Sequence, residues 1–228
     1  MSLPNYQTPT QRLLASTNKR RLHVGPATLL DRVYPPTLVM DAVLVGAGAA
    51  LIGILAQVVV PLWPVPSTGQ IVGVLVVSFA LGVIRGPLAV ALYLLLGGFG
   101  LPMFTQAGAG WSHIAGQTGG YLVGFLFAAV VAGIVTLWGW ERKFWSALAV
   151  SCGATLLVYA IGVVWLAHVN DYGLAEALEQ GLYPLIVGGG LKSLLVAALV
   201  PFAWFALQRA DSAVIAAQRN PATPRLRP

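Results

Sequence analysis

A single lysine lies deep within the last long apolar stretch of the chain, in the run GGGLKSLLVAALV. If this stretch is a membrane helix, Lys192 is about nine residues from its start at residue 183, or roughly 13–14 Å along the axis. An ionisable side chain at that depth usually faces an interior cavity and marks a functional site. The alternative is a lysine whose ammonium extends along the helix to the membrane interface.

No aspartate or glutamate lies inside another long apolar segment to pair with Lys192. A buried ammonium without a protein counter-charge predicts an anionic ligand, most simply a carboxylate. The run GGGLKS does not satisfy the GxxxxGK[ST] pattern of a phosphate-binding loop, so we expect no ATP hydrolysis by this chain. Gly188, Gly189 and Gly190 are expected to allow close helix approach or to leave space for a ligand beside Lys192.

The glycine-rich stretch GAGWSHIAGQTGGYLVGF, residues 108–125, carries a second group of candidate binding residues. A helix is predicted to begin near Thr118, and its N-terminus would present free amide groups and partial positive charge. The paired glycines would let a ligand approach that backbone, and Tyr121 would supply an aromatic wall. The alternative is a flexible loop with interfacial aromatic residues. The candidates are Trp111, Gln117, Thr118, Gly119, Gly120 and Tyr121.

A chargeless elbow, WPVPSTGQ at residues 63–70, separates two apolar runs. Its prolines predict a stiff, extended turn that lacks two backbone donors. Thr68 or Gly69 can cap the helix that follows, and Gln70 would direct a neutral amide towards a ligand. We therefore predict a turn that also covers the entrance of a binding site.

Catalytic alternatives are weak. A membrane serine protease pairs a serine with a histidine on another helix, but Ser112 lies in a loop and His168 is the remaining candidate base. Three isolated histidines and one cysteine do not form a metal-binding pattern. We expect no enzyme activity, no metal and no cofactor, with an intramembrane serine protease as the alternative from another class.

Composition indicates that lipid surrounds most of the chain. Of its 228 residues, 57% are hydrophobic and 9% are charged, and the mean hydropathy is +0.80. A soluble domain carries about a quarter charged residues, so an all-α polytopic membrane protein is predicted. At about 20 residues a span, the apolar runs predict six transmembrane helices at about 41–62, 70–84, 87–104, 119–138, 144–168 and 183–207.

The long run from 71 to 96 is divided at Arg85-Gly86-Pro87, because proline interrupts a helix and a central arginine is costly in a membrane. With six helices and a cytoplasmic N-terminus, twelve of the thirteen cations are cytoplasmic, as the positive-inside rule requires. Both termini are thus predicted to be cytoplasmic, and the charge indicates orientation rather than nucleic-acid binding. The predicted parts are a basic, mobile tail at 1–36, a membrane domain at 37–207 and a basic, proline-rich tail at 208–228.

Four segments together resemble the biotin-specific S-component family (BioY) of energy-coupling-factor transporters. They are PLWPVPSTGQ, GPLAVALYLLLGGFGLPMF, GQTGGYLVGFLFAA and GGGLKSLLVAAL, within residues 46–199. The resemblance implies a six-helix subunit of a prokaryotic plasma membrane that captures biotin on the outer face and topples to carry it inward. It also implies a transmembrane coupling protein and two cytoplasmic ATPase subunits as partners. An S component for another carboxylated vitamin or precursor is the alternative within transport.

The family motifs also imply roles for individual residues. The late lysine of the family matches Lys192, which would hold a polar end of biotin. Where the family has an aspartate three residues earlier, this chain has Gly189. The ureido ring would then be bound by Gln70, Gln117 or His113, or a water would fill the gap at this glycine. The other matched positions are Pro64, Val65, Pro66, Thr68, Thr118, Gly119, Gly120 and Tyr121.

A stripe of small residues on the first helix has a further implied role. In S components such a stripe contacts the coupling protein, and packing within the helix bundle is the alternative. The residues are Gly46, Ala49, Ala50 and Gly53.

Overall fold

The computed structural model describes residues 28–33, 37–61 and 65–219. These residues form a helical bundle with one two-stranded ribbon. Short 3-10 helices lie at Leu30–Arg32, Thr105–Ala107, Thr136–Trp138 and Trp140–Arg142. The remaining elements are α1 Leu38–Ala56, β1 Val59–Val60, β2 Ser67–Thr68, α2 Gln70–Gly98, α3 Trp111–Ala115, α4 Gly119–Val135, α5 Phe144–Asn170, α6 Leu174–Gly181 and α7 Tyr183–Arg219.

Within the described residues, five helices are long and apolar enough to cross a membrane: Leu38–Ala56, Gln70–Gly98, Gly119–Trp138, Phe144–Asn170 and Tyr183–Ala210. The prediction of a mostly helical protein with several apolar, membrane-length helices is therefore confirmed. The number of six crossings and the side on which the termini lie stay predictions.

Helix α2 folds back on itself, which explains why six apolar segments give five candidate spans. In a straight helix, Gln70 and Tyr93 would be about 34 Å apart, yet the Gln70 Nε2 donates a hydrogen bond of 2.6 Å to the Tyr93 hydroxyl. The reversal is at Gly82, whose φ of 81° and ψ of −167° are accessible essentially to glycine alone. The two arms, 70–81 and 83–98, therefore lie side by side.

The prediction that this run is interrupted at Arg85-Gly86-Pro87 is wrong, because the break lies three residues earlier at Gly82. Pro87 is near the beginning of the second arm, where few helical hydrogen bonds precede it. The second arm also ends at Gly98 rather than near residue 104. The two arms of α2 are about 18 and 24 Å long, and each is shorter than a hydrocarbon core of about 30 Å.

Arg85 lies in a buried ion cluster at the reversal and is only 1% exposed. Its guanidinium contacts Asp31 at 2.6 Å and Asp41 at 3.2 Å and donates to the Thr28 hydroxyl at 3.2 Å. Burial acts to raise the pKa of Asp31, but hydrogen bonds from Thr28 and Arg85 outweigh it and lower that pKa. The described piece of the predicted N-terminal tail is thus attached to the helix reversal.

The helices pack in a chain of neighbours: α1 against α2, α2 against α4, α4 against α5, and α5 against α7. Gly82 lies close to the Thr136 hydroxyl, so the Arg85 cluster is at the same end of the bundle as the ion pair between Glu141 and Arg142. At the opposite end, β1 and β2 form an antiparallel ribbon with Val59 opposite Thr68 and Val60 opposite Ser67.

One predicted boundary differs from the structure, and one predicted segment is described only in part. Helix α7 continues past residue 207 to Arg219, so the predicted start of the C-terminal tail falls inside a helix. Residues 62–64, which include Trp63 and Pro64 of the predicted elbow, lie outside the described residues, as do 1–27, 34–36 and 220–228.

Candidate ligand-binding site

A cavity of about 530 Å³, counting its open mouth, lies at the end of the bundle opposite Arg85. It is enclosed by β2, the beginnings of α2, α4 and α7, the latter part of α5, and the loop between α2 and α4. The lining residues are Val65, Pro66, Ser67, Thr68, Gln70, Ile71, Thr105, His113, Thr118, Tyr121, Leu122, Phe125, Val158, Tyr159, Leu185 and Lys192.

Lys192 reaches from α7 across the cavity to the ribbon. Its Nζ donates a hydrogen bond of 2.7 Å to the Ser67 hydroxyl, and its side chain is half-buried. Among the described residues no carboxylate forms an ion pair with this ammonium. An ammonium has three donors, so two remain for a ligand. Sequence reasoning identified Lys192 but missed Ser67, although Ser67 lies in the elbow that was singled out.

Gln70 is held in one orientation by two buried partners. The Thr68 hydroxyl donates to Gln70 Oε1 at 2.8 Å, and Gln70 Nε2 donates to the fully buried Tyr93 hydroxyl at 2.6 Å. An amide has two donors and two acceptor lone pairs, so one N–H remains for a ligand. Thr68 and Gln70 were predicted, whereas Tyr93 was not, because it meets Gln70 only through the reversal at Gly82.

Two tyrosines form an aromatic wall with their hydroxyl protons already used. The Tyr121 hydroxyl donates to the Gly181 carbonyl at 2.8 Å, and the Tyr159 hydroxyl donates to the Leu185 carbonyl at 3.0 Å. With Leu122, Phe125 and Val158 they make the surface beside Lys192 largely apolar. Tyr121 was predicted from sequence and Tyr159 was not.

The loop between α2 and α4 contributes Thr105, His113 and Thr118 to the cavity. The His113 ring stacks on Phe104 with centroids 5.0 Å apart, and burial lowers the pKa of His113. Thr118 occupies the N-cap position of α4 as predicted, but its side chain makes no capping hydrogen bond. Its hydroxyl is therefore not used by the helix.

Five predicted site residues lie outside the lining of the cavity. The Gln117 amide donates to Asn170 at 3.3 Å, and Trp111 is 53% exposed and packs edge-on against Phe99. A Cβ at Gly119 or Gly120 would collide with the Ile114 carbonyl or with Trp165. These two glycines thus permit close packing around α4. A Cβ at Gly189 would meet the Tyr159 hydroxyl, so the Tyr159 ring fills the space beside this glycine.

The small residues of the first helix do not share one environment. Ala49 and Gly53 are buried, and Gly53 packs against Met103. Ala50 is exposed, and a Cβ at Gly46 would meet nothing within 4 Å. Only Gly46 and Ala50 therefore lie where a partner could contact them.

The residues required for a serine protease are not brought together. Ser112 and His168 are both exposed, and in the described part of the chain no hydrogen bond links them. The described residues also contain no group of three or more histidine, cysteine, aspartate or glutamate side chains that could hold a metal.

The fold and the cavity define a protein with several helices apolar enough to cross a membrane and a largely apolar cavity at one end. The family model described as the BioY family matches residues 23–209. The chain is 39% identical over 158 residues to the biotin transporter BioY of Thermotoga maritima, covering 68% of this chain and 89% of that protein. It is 33% identical over 169 residues to the biotin transporter BioY of Rhizobium etli, covering 70% of this chain and 90% of the relative.

A solved structure is also similar. It is described as the S-component for biotin from an ECF-type ABC transporter, with a TM-score of 0.62 and 26% sequence identity over 72% of this chain and 89% of that one. The chain belongs to the BioY family, which confirms the resemblance noted in its sequence. The relatives are transporters by name, in agreement with the expectation that this chain is not an enzyme.

Proposed function

We propose that this chain is the biotin-binding S component of an energy-coupling-factor transporter. The observation that carries the proposal is the cavity beside Lys192, in which a partly buried ammonium has a neutral hydroxyl as its partner. A ligand carboxylate supplies the missing negative charge. The names of the BioY relatives support biotin as that ligand.

Each part of the cavity corresponds to a part of such a ligand. Lys192 and Ser67 bind the carboxylate, because a charge-assisted hydrogen bond in a site shielded from water is stronger than a neutral one. The apolar side chains between Tyr121 and Tyr159 enclose the hydrocarbon portion. The Gln70 amide, fixed by Thr68 and Tyr93, retains one N–H for a neutral polar group.

The proposed orientation places the cavity mouth on the outer face of a prokaryotic plasma membrane. Both termini and the Arg85 cluster are then cytoplasmic, and the polypeptide crosses six times if each arm of α2 counts as one crossing. The positive-inside distribution of lysine and arginine supports this arrangement. The described segments at the cavity end, including β1, β2 and the loop from 99 to 118, contain no lysine or arginine.

Uptake is proposed to depend on a transmembrane coupling protein and two cytoplasmic ATPase subunits. No phosphate-binding loop is present in the sequence, so another protein must hydrolyse ATP. Gly46 and Ala50 offer an outward surface of small side chains on α1 that allows a partner helix to approach closely.

The proposal is tested by mass spectrometry of small molecules that remain bound to the detergent-purified protein from biotin-grown cells. We expect biotin at a ratio approaching one per chain, displaced by added labelled biotin. A different carboxylated vitamin, retained while labelled biotin does not bind, would contradict biotin as the ligand and favour the alternative within transport.

A further inference from the structure

A second hollow shares one wall residue with the ligand cavity. It has a volume of about 450 Å³, counting its open side, and lies between α5 and α7. We call it the lateral groove, and its lining residues are Cys152, Thr155, Leu156, Tyr159, Ile186, Gly189, Gly190 and Ser193. Among the described residues, Tyr159 alone lines both the lateral groove and the ligand cavity. The two hollows therefore meet at this side chain.

The lateral groove opens to the outside of the bundle. Leu156 and Ile186 on its rim are 59% and 46% exposed. Gly190 is exposed as well, and a Cβ placed on it would meet nothing within 4 Å. Because α5 and α7 are both long and apolar enough to cross a membrane, this rim faces acyl chains of the lipid. The ligand cavity, by contrast, contains the ammonium of Lys192.

The Tyr159 side chain fills the passage between the two hollows. It is 7% exposed, and its hydroxyl donates to the Leu185 carbonyl at 3.0 Å. Its ring lies directly against Gly189, where a Cβ would collide with the Tyr159 hydroxyl. Glycine at position 189 therefore leaves the space that a complete tyrosine ring needs between α5 and α7.

The spacing of α5 and α7 has a support that does not involve the Tyr159 ring. The Thr155 and Ser193 hydroxyls are 3.2 Å apart and form a hydrogen bond between the two helices. Each of them lies about one helical turn from the contact between Tyr159 and Gly189. Removal of the ring leaves this hydrogen bond in place, so the helices stay apart and the passage opens. The ring itself, rather than the approach of the helices, separates the cavity from the groove.

The passage lies beside the charged part of the ligand cavity. Lys192 follows Gly189 by three residues and shares its face of α7. The Lys192 ammonium contacts the Ser67 hydroxyl, and that hydroxyl is 3.4 Å from a Cβ placed on Gly188. The ammonium end and the Tyr159 ring thus lie against neighbouring glycines of one helical turn. A carboxylate bound to Lys192 places the end of its hydrocarbon chain next to Tyr159.

We propose that Tyr159 is a specificity-determining residue that closes the ligand cavity against the lateral groove and so limits the length of the hydrocarbon chain on a bound carboxylate. This inference rests on the proposed function. A longer chain must bend to keep its carboxylate at Lys192, and the ring occupies the space into which it would bend. The same ring keeps the acyl chains at the groove out of the cavity.

The test measures the Kd of the purified full chain for biotin and for a homologue whose carboxylate chain is two methylenes longer. Both ligands keep the ring system and the carboxylate, so the contact with Lys192 is common to them. We expect the wild type to bind the homologue about tenfold more weakly, because extra methylenes in a filled site are costly. In Tyr159→Ala the extra methylenes enter the groove, and the ratio of the two Kd values should approach one.

The ratio is measured within each variant, so a general loss of affinity or stability from the missing ring cancels. Tyr159→Phe is the matched control, because it loses the hydroxyl but keeps the ring in the passage, and it should keep the preference for biotin. If Tyr159→Ala does not fold, Tyr159→Leu, which retains more of the buried volume, is measured in the same way.

Three results would overturn the proposal. They are equal binding of both ligands by the wild type, an unchanged ratio in the variant without the ring, and an equal fall of the ratio in Tyr159→Phe, which would assign the effect to the hydroxyl. A wild type that does not bind biotin contradicts the proposed function itself. A wild type that binds biotin while the ratio does not respond to loss of the ring contradicts this inference alone.

Discussion

Two cations within apolar segments, Arg85 fully buried and Lys192 half-buried, lie at opposite ends of the same bundle and have different surroundings. Arg85 contacts two carboxylates, Asp31 at 2.6 Å and Asp41 at 3.2 Å. Lys192 contacts a serine hydroxyl at 2.7 Å and faces a cavity. The first cation has its counter-charges within the chain and ties together segments that are distant in sequence. The second lacks a counter-charge in the described chain, and a ligand can supply one.

A charged side chain within an apolar segment indicates function only when its partners are known. Both residues are costly in a membrane, and the sequence alone singles out each of them. Their partners place Arg85 in a structural ion cluster and Lys192 in a candidate binding site. Loss of Arg85 should therefore mainly lower the stability of the fold, whereas loss of Lys192 should mainly lower the affinity for the ligand.

The largest expected effect is on stability at the Arg85 end. Arg85→Met leaves Asp31 and Asp41 without the guanidinium, and removal of one partner from a buried ion pair costs about 3–5 kcal/mol. Lys192→Met leaves no buried acid behind and should cost far less. Thermal unfolding of both variants in the same detergent checks the difference, and equal losses of stability would contradict the division into structural and ligand-binding cations.

The second-largest expected effect is a loss of stability when the close packing of Gly189 against Tyr159 is disturbed. Gly189→Ala places a methyl group against the Tyr159 hydroxyl, and such overpacking costs about 1–3 kcal/mol. The matched control is Gly190→Ala, because a Cβ there meets nothing within 4 Å. Adding Tyr159→Phe should recover part of the loss, since it removes the atom in conflict. Strictly additive losses in unfolding measurements would show that the two side chains do not meet.

The smallest expected effect comes from loss of the hydrogen bond between Gln70 and Tyr93 beside the cavity. Tyr93→Phe removes the acceptor of the Gln70 amide, which leaves a buried donor without a partner and costs about 1 kcal/mol. We expect a few-fold loss of biotin affinity because Gln70 is no longer held in one orientation. Tyr183→Phe is the control, since Tyr183 is 60% exposed. Unchanged binding by Tyr93→Phe would remove Gln70 from the ligand contacts.

Much of the site could be predicted from single residues in their local context. The depth of Lys192 in an apolar run, and the turn residues around Gln70, identified two walls of the cavity. Thr68, Thr118 and Tyr121 were predicted from the same motifs and also line it. Each of these positions carries a polar or aromatic side chain at the beginning of an apolar helix, a local signal that needs no knowledge of the fold.

The remaining parts depend on contacts between distant segments. Ser67 and Lys192 are 125 residues apart in sequence, and Tyr93 meets Gln70 only because α2 reverses at Gly82. A proline is a conspicuous helix breaker, yet Pro87 is tolerated near the beginning of an arm while the glycine five residues earlier makes the turn. Glycine patterns were similarly ambiguous, because Gly119 and Gly120 allow helices to approach one another and do not line the cavity.

The most direct test of the central claim is the equilibrium affinity of the purified chain for biotin with and without the Lys192 ammonium. Lys192→Ala should lose about 1.5–3 kcal/mol of binding free energy, or roughly one to two orders of magnitude in Kd, with little change in the unfolding temperature. Lys143→Ala, an exposed lysine at the opposite end, should bind as the wild type does. Wild-type affinity in Lys192→Ala would contradict a role for this ammonium in binding, because the cavity would then bind its ligand without the cation.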